Sequence, residues 1–130
     1  MLLQRILLWL QLLLPLVVHG QQYSWTNLAG MPGISGSADG SGSVVRLSSP
    51  QQIAIDADGN IFVADGSRIR KISPSGMVST LPQPTFRVWG IAVDSAGNLY
   101  FSNANRHTIH RLTPSGVMSV LAGSDGQSSS

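Results

Sequence analysis

The sequence predicts an all-β chain built from repeated four-stranded antiparallel units. The first observation behind this is a repeat. Ile53-Ala54-Ile55-Asp56-Ala57-Asp58-Gly59-Asn60-Ile61-Phe62-Val63-Ala64-Asp65 returns as Ile91-Ala92-Val93-Asp94-Ser95-Ala96-Gly97-Asn98-Leu99-Tyr100-Phe101-Ser102-Asn103, with every position displaced by 38. Self-similarity at a period of roughly 20–50 residues marks architectures made of stacked supersecondary units. The second observation is punctuation: short apolar, β-branched runs are separated by Asp58-Gly59-Asn60, Pro74-Ser75-Gly76, Ala96-Gly97-Asn98 and Pro114-Ser115-Gly116. Such clusters turn a chain between strands, because Gly and Asn tolerate the positive φ that hairpin turns demand.

Residues 1–20 differ in kind from the rest of the chain. Arg5 precedes an apolar run from Ile6 to Val18, which ends in Val18-His19-Gly20. At about 13 residues that run is shorter than the roughly 20 needed to span a bilayer. The layout is that of a secretory signal peptide cut before Gln21, with an uncleaved anchor as the alternative. Without Arg5 the eight basic residues become seven against six acidic ones, a net charge of +1. A nearly neutral chain lacks the clustered basic footprint of a nucleic-acid binder. There is no cysteine, so the fold must be held by packing and not by disulfides.

Tyr23 to Leu28 alternates and carries aromatics, which reads as an outer strand without companions upstream. Gly30 to Pro50, rich in Gly and Ser, reads as a loop of about 20 residues, a length that tends to be functional or mobile. Ile53–Asp56 and Ile61–Ala64 are the first two strands of a full unit, and Ile53 and Ile55 read as buried on both faces. In Arg68-Ile69-Arg70-Lys71-Ile72 the arginines are expected to face solvent, opposite Ile69. Met77 to Leu81 completes the unit. The second copy follows suit with Ile91–Asp94, then Ile109 and Leu112, and a last strand over Val117–Leu121. Four antiparallel strands per unit, each about 4–6 residues, is the makeup of a propeller blade.

The combined pattern resembles the NHL repeat. Its carriers are Pro50-x-x-Ile-Ala-Ile-Asp-x-x-Gly-Asn-Ile-Phe-Val-Ala-Asp, then Arg68-Ile-Arg-Lys-Ile, Pro74-x-Gly and a closing Leu121-Ala-Gly. In the second copy Asn105-Arg106-His107 stands at the signature position, with Arg106 between Asn and His, and the first copy has Gly66-Ser67-Arg68 there. The resemblance implies a β-propeller portion with the first strand of each blade innermost. The expected domains are a signal peptide over 1–20, a propeller fragment over 21–126 and a Ser-rich tail over 127–130. The blades fall at about 50–81 and 88–123, with one orphan outer strand before them. Two blades do not close a ring of the family's usual size. The resemblance therefore implies the amino-terminal part of a longer propeller, needing further blades or self-association, with an intact two-sheet protein as the alternative.

Chemistry is sparse. Asp56-x-Asp58-x-Asn60 begins like a calcium loop, but Ile61 occupies the required glycine position and Ser67 stands where a bidentate Glu belongs. These Asp residues read better as turn acceptors. His107-x-x-His110 on a strand points its rings to opposite faces, so it chelates no single ion and reads as a surface pair. No catalytic residue, metal ligand or cofactor is assigned. The expected function is a secreted binding or scaffold module for an unidentified protein, peptide or glycan, extracellular or, in a bacterium, periplasmic. No nucleic acid is expected as a partner, and no membrane once the signal is removed. The alternative is a fragment of a propeller enzyme, lyase-like or lactone-hydrolase-like, with its metal ligands in other blades. Ligand contacts are expected from turns, at Asp39, Asp65, Trp89 and Asn103.

Overall fold

The computed structural model describes residues 20–124. The expected signal peptide (apart from Gly20) and the Ser-rich tail lie outside the described residues. In chain order the elements are β1 (Gly40–Ser41), a single 3-10 turn (Gly42–Val44), β2 (Pro50–Ile55), β3 (Ile61–Asp65), β4 (Arg68–Ile72), β5 (Met77–Thr80), β6 (Ile91–Val93), β7 (Leu99–Asn103), β8 (Thr108–Leu112) and β9 (Met118–Ala122). Among the described residues there is no α-helix. Two sheets result, in strand order β1-β5-β4-β3-β2 and β6-β7-β8-β9, and each pair of neighbours is antiparallel. The all-β reading holds, with two four-stranded blades in which β2 and β6 stand at one edge.

Both blades turn by the same device. Asp56 Oδ1 accepts hydrogen bonds from the Asp58 and Asn60 amides, and Asn60 Nδ2 donates to Oδ2 at 2.8 Å. Asp94 repeats this with the Ala96 and Asn98 amides and Asn98 Nδ2, and adds the Tyr100 hydroxyl. Gly59 and Gly97 sit at φ +81° and +82°, in the left-handed region where a side chain is strained.

Strand alternation sorts side chains onto two faces of each blade. On the leading face of the first blade lie Ile61, Val63, Arg70, Ile72 and Val78; their counterparts in the second are Leu99, Phe101, His110, Leu112 and Met118. The trailing face of the first blade presents Phe62, Ala64 and Ile69. It packs on the leading face of the second, in one core of Phe62, Ala64, Ile69, Val88, Ile91, Leu99, Phe101 and Leu112. Gln52 Oε1 ties the blades further by accepting the Ile91 amide at 2.8 Å.

The leading face of the first blade is covered differently. Val45, fully buried, packs on Val63, Ile72 and Val78. The Gly/Ser-rich connector therefore lies down as a strap, and Gly40–Ser41 adds a short strand to β5. That two-residue strand is the extra one. Tyr23 to Leu28, expected as the orphan outer strand, forms no ladder, and Trp25 is 95% exposed. A strand exists only where an edge is free to pair with it, and β1 has taken the edge of β5. A second correction concerns β2. Ile53 and Ile55 are 58% and 59% exposed, whereas their repeat counterpart Ile91 is buried. Only the trailing side of β2 has a sheet beside it.

Candidate functional site

The antiparallel registers put the ends of β3 and β7 and the start of β6 at one end of the blades. Val88 donates its amide to Gly66 O at 3.0 Å, and Trp89 donates to Ser102 O at 3.1 Å. Asp39 reaches the same end by accepting from the Thr80 amide and hydroxyl. The four residues singled out in the sequence thus share a rim, but in two kinds of environment.

Asp65 and Asn103 are buried, at 1% and 2% exposure. Asp65 Oδ1 accepts the Ser48 and Ser49 amides, at 2.8 and 2.5 Å, while Oδ2 faces Arg70 at 3.3 Å. Asn103 Oδ1 accepts the amides of Asn105 and Arg106. Both side chains hold the backbone of loops and offer no surface to solvent. Asp39 and Trp89 differ: the Asp39 side chain is half exposed, and Trp89 is 48% exposed, with the Arg87 guanidinium 5.3 Å from its ring centre. Of the four, these two are open to a ligand.

The residue that sequence reasoning misplaced is Arg70. It was expected to face solvent on an outer position of β4, and it is completely buried. Its guanidinium donates to Arg46 O at 2.8 Å, Ala38 O at 2.9 Å and Asp39 Oδ1 at 2.8 Å, besides Asp65. The leading face meets the connector and not water, so a polar position on β4 becomes the bolt that fastens that connector. The available signal was the spacing Asp65-x-x-x-x-Arg70, which puts opposite charges near each other on adjacent antiparallel strands. Asp39 is pulled upward by desolvation, but the hydrogen bonds from Thr80 and Arg70 outweigh this and hold its carboxyl below the usual range.

His110 is the second such correction. Expected at the surface, it is buried, stacked on Phe101 at 5.6 Å and tilted against Phe86 at 4.7 Å, with Nε2 2.8 Å from Thr108 Oγ1. His107 sits in the preceding turn at φ +54°. Among the described residues, no three His, Asp or Glu side chains gather as a metal set. The Asp56 and Asp94 carboxylates are spent on their own turns. Hydrogen bonding from Asn60 and Asn98 is the leading cause that holds both below the ordinary carboxylate range.

The opposite end carries a groove that the sequence did not announce. It encloses about 610 Å³ between the turns of the two blades, with Phe62, Leu81, Leu99 and Leu112 among its lining. Asp56, Asp58 and Asp94 stand along it with Lys71, whose ammonium lies 5.8 Å from the Phe62 ring centre.

Two blades of this register, with these turns and a strapped connector, can be set beside known proteins. The family model described as the Teneurin NHL domain matches residues 33–88, which takes in most of the connector and the whole first blade. Over those residues the chain is similar to an NHL domain. Teneurin-3 of Danio rerio is 34% identical over 84 residues, and teneurin-3 of Mus musculus is 30% identical over 91. Each match covers 62% of this chain and 3% of the teneurin, so the chain spans a small part of these relatives' length. Among solved structures, a streptogramin B lyase aligns at TM-score 0.51 and 22% identity, over 64% of this chain and 29% of that one. At that identity the likeness is one of fold, and it places the two blades in the β-propeller class.

Proposed function

We propose that this chain is a recognition or scaffold portion of a secreted NHL propeller, its ligand a protein, peptide or glycan held by turns and not by strand side chains. The observation that carries this is the division of labour at the rim. Asp65, Asn103, Arg70 and His110 are buried and engaged in holding loops or packing blades. What the rim leaves open is Trp89, half exposed beside Arg87, and the outer half of Asp39. An aromatic ring with one wet face, next to a guanidinium, is the type of group that anchors interfaces, because it buries a large area at little rotamer cost. Export rests on the layout of residues 1–20.

The test is binding of the full-length protein to arrays of extracellular proteins and glycans, followed by the same measurement on Trp89→Ala. The expected result is a loss of about 2 kcal/mol in affinity, as for an aromatic anchor. Stability should stay within about 0.5 kcal/mol of the parent, as for an exposed position. Unchanged affinity after replacing both Asp39 and Trp89 by alanine would remove this rim from the reading.

A further inference from the structure

The fold sorts the charges of a nearly neutral chain toward its two ends. Asp56, Asp58 and Asp94 stand at the end opposite the rim, along the groove that Lys71 also lines. At the rim, the two remaining carboxylates of the described residues are already engaged. Asp65 is buried against Arg70, and Asp39 is bound by Arg70 and Thr80.

What the rim leaves open is cationic. Three successive segments each bring an arginine there: Arg68 where β4 leaves the β3–β4 turn, Arg87 on the connector between the blades, and Arg106 in the β7–β8 turn. All three are exposed. Arg68 and Arg87 form no ion pair among the described residues. The Val88 amide donates to Gly66 O at 3.0 Å, which ties the Arg87 segment to the turn that carries Arg68. The Arg87 guanidinium lies 5.3 Å from the ring centre of Trp89, itself 48% exposed. These groups stand at the ends of strands, so a sheet packed on either blade face leaves them open.

A guanidinium presents a planar fork of donors that fits a sulfate or carboxylate through two parallel hydrogen bonds. An indole beside it offers a large apolar face, with a polar N–H at its edge, on which the C–H face of a sugar ring can pack. An acidic peptide is served less well. The rim consists of strand ends and turns, so an extended peptide finds no strand edge to join. We propose, on the reading of this rim as the recognition surface, that its ligand is an acidic glycan. Arg68 and Arg87 hold its sulfate or carboxylate groups, and a sugar ring seats on Trp89. The carboxylates of the opposite end repel such a polyanion, which steers it to the rim.

Isothermal titration of the full-length protein with a heparin octasaccharide tests this, and a hyaluronan octasaccharide separates carboxylate from sulfate recognition. At least one should bind, and more weakly as salt rises from about 50 to 300 mM, because the contacts are exposed. Arg68→Gln together with Arg87→Gln should weaken binding at least about tenfold, with circular dichroism unchanged. Lys71→Gln removes a charge from the opposite end and should leave affinity within about twofold. The paired Arg68→Ala and Arg87→Ala variant serves if the glutamine pair fails to fold. The proposal is overturned if neither glycan binds, if the paired variant binds like the parent, or if Lys71→Gln loses as much. It is also overturned if a polyglutamate peptide or an oligonucleotide of matched charge binds more tightly than both glycans. Loss of a protein ligand in Trp89→Ala, with neither glycan bound, would keep the rim as the recognition surface and remove only the glycan.

Discussion

The two blades are built on one template and stabilised on their leading faces by different chemistry. In the first, Arg70 is bolted through four hydrogen bonds to Asp65, Asp39 and two connector carbonyls. In the second, the same position in the repeat holds His110, and Asn103 replaces Asp65; there the connector residue Phe86 packs against the imidazole and Phe101. The difference comes from the chemistry of the covering segment. A connector of small polar residues presents backbone carbonyls, which call for a buried donor with a wide fork. A connector carrying Phe86 and Val88 presents hydrocarbon, which an aromatic stack satisfies. One repeat sequence thus accepts either a polar or an apolar seal, provided the position on the third strand changes with it.

Replacing the bolt should have the largest effect. Arg70→Ala leaves the Asp65 carboxylate buried without its countercharge, so about 3–5 kcal/mol should be lost in chemical denaturation. His110→Ala removes an aromatic partner from a neutral cluster and should cost about 1–2 kcal/mol by the same measurement. Equal costs would mean that the two seals do not differ in kind.

The innermost strands offer the next contrast. Ile91→Ala, at a buried position, should cost about 2–4 kcal/mol. Ile53→Ala, its repeat counterpart, should stay within about 0.5 kcal/mol, because the side chain is already in water.

Gly30 and Gly123 close equivalent Leu-Ala-Gly motifs at φ +93° and +86°, yet they differ in surroundings. A Cβ on Gly123 would collide with His107 O, whereas one on Gly30 would meet Leu47 at 3.7 Å. Gly123→Ala should therefore lose about 2–3 kcal/mol, and Gly30→Ala only the roughly 1 kcal/mol of left-handed strain. Thermal denaturation of the two variants separates them.

The smallest effect is acid loosening of the first connector. Asp39 titrates lower when folded than its ordinary value of 3.8. Its contribution is therefore present above the unfolded pKa and is lost as pH falls through the lower folded one. Amide exchange at Thr80, whose N–H donates to Asp39, should accelerate below about pH 4. Asp39→Asn should abolish that acid-dependent step. An unaltered acid profile in this variant would place the acid sensitivity elsewhere.

The sequence by itself determined the eight strands of the two blades, their order and their turns. Period, alternation and the Asp-x-x-x-Asn turns are local properties, fixed within a few residues, and the ladders of β3, β4, β7 and β8 fall where those patterns put them. The shared rim of Asp39, Asp65, Trp89 and Asn103 was legible too, because it needs only antiparallel strands. The tertiary structure alone decided which face of each strand meets protein and which meets water. Arg70 and His110 read as surface residues because alternation says that two faces exist without saying what covers each. Ile53 and Ile55 read as core for the converse reason. Tyr23–Leu28 has strand-like composition, but a strand needs a partner edge, and only the assembled sheet shows that β1 holds it. The groove at the opposite end arises from two turns 38 residues apart in sequence, a juxtaposition created by blade packing. Burial and proximity are properties of neighbours, and neighbours are what folding supplies.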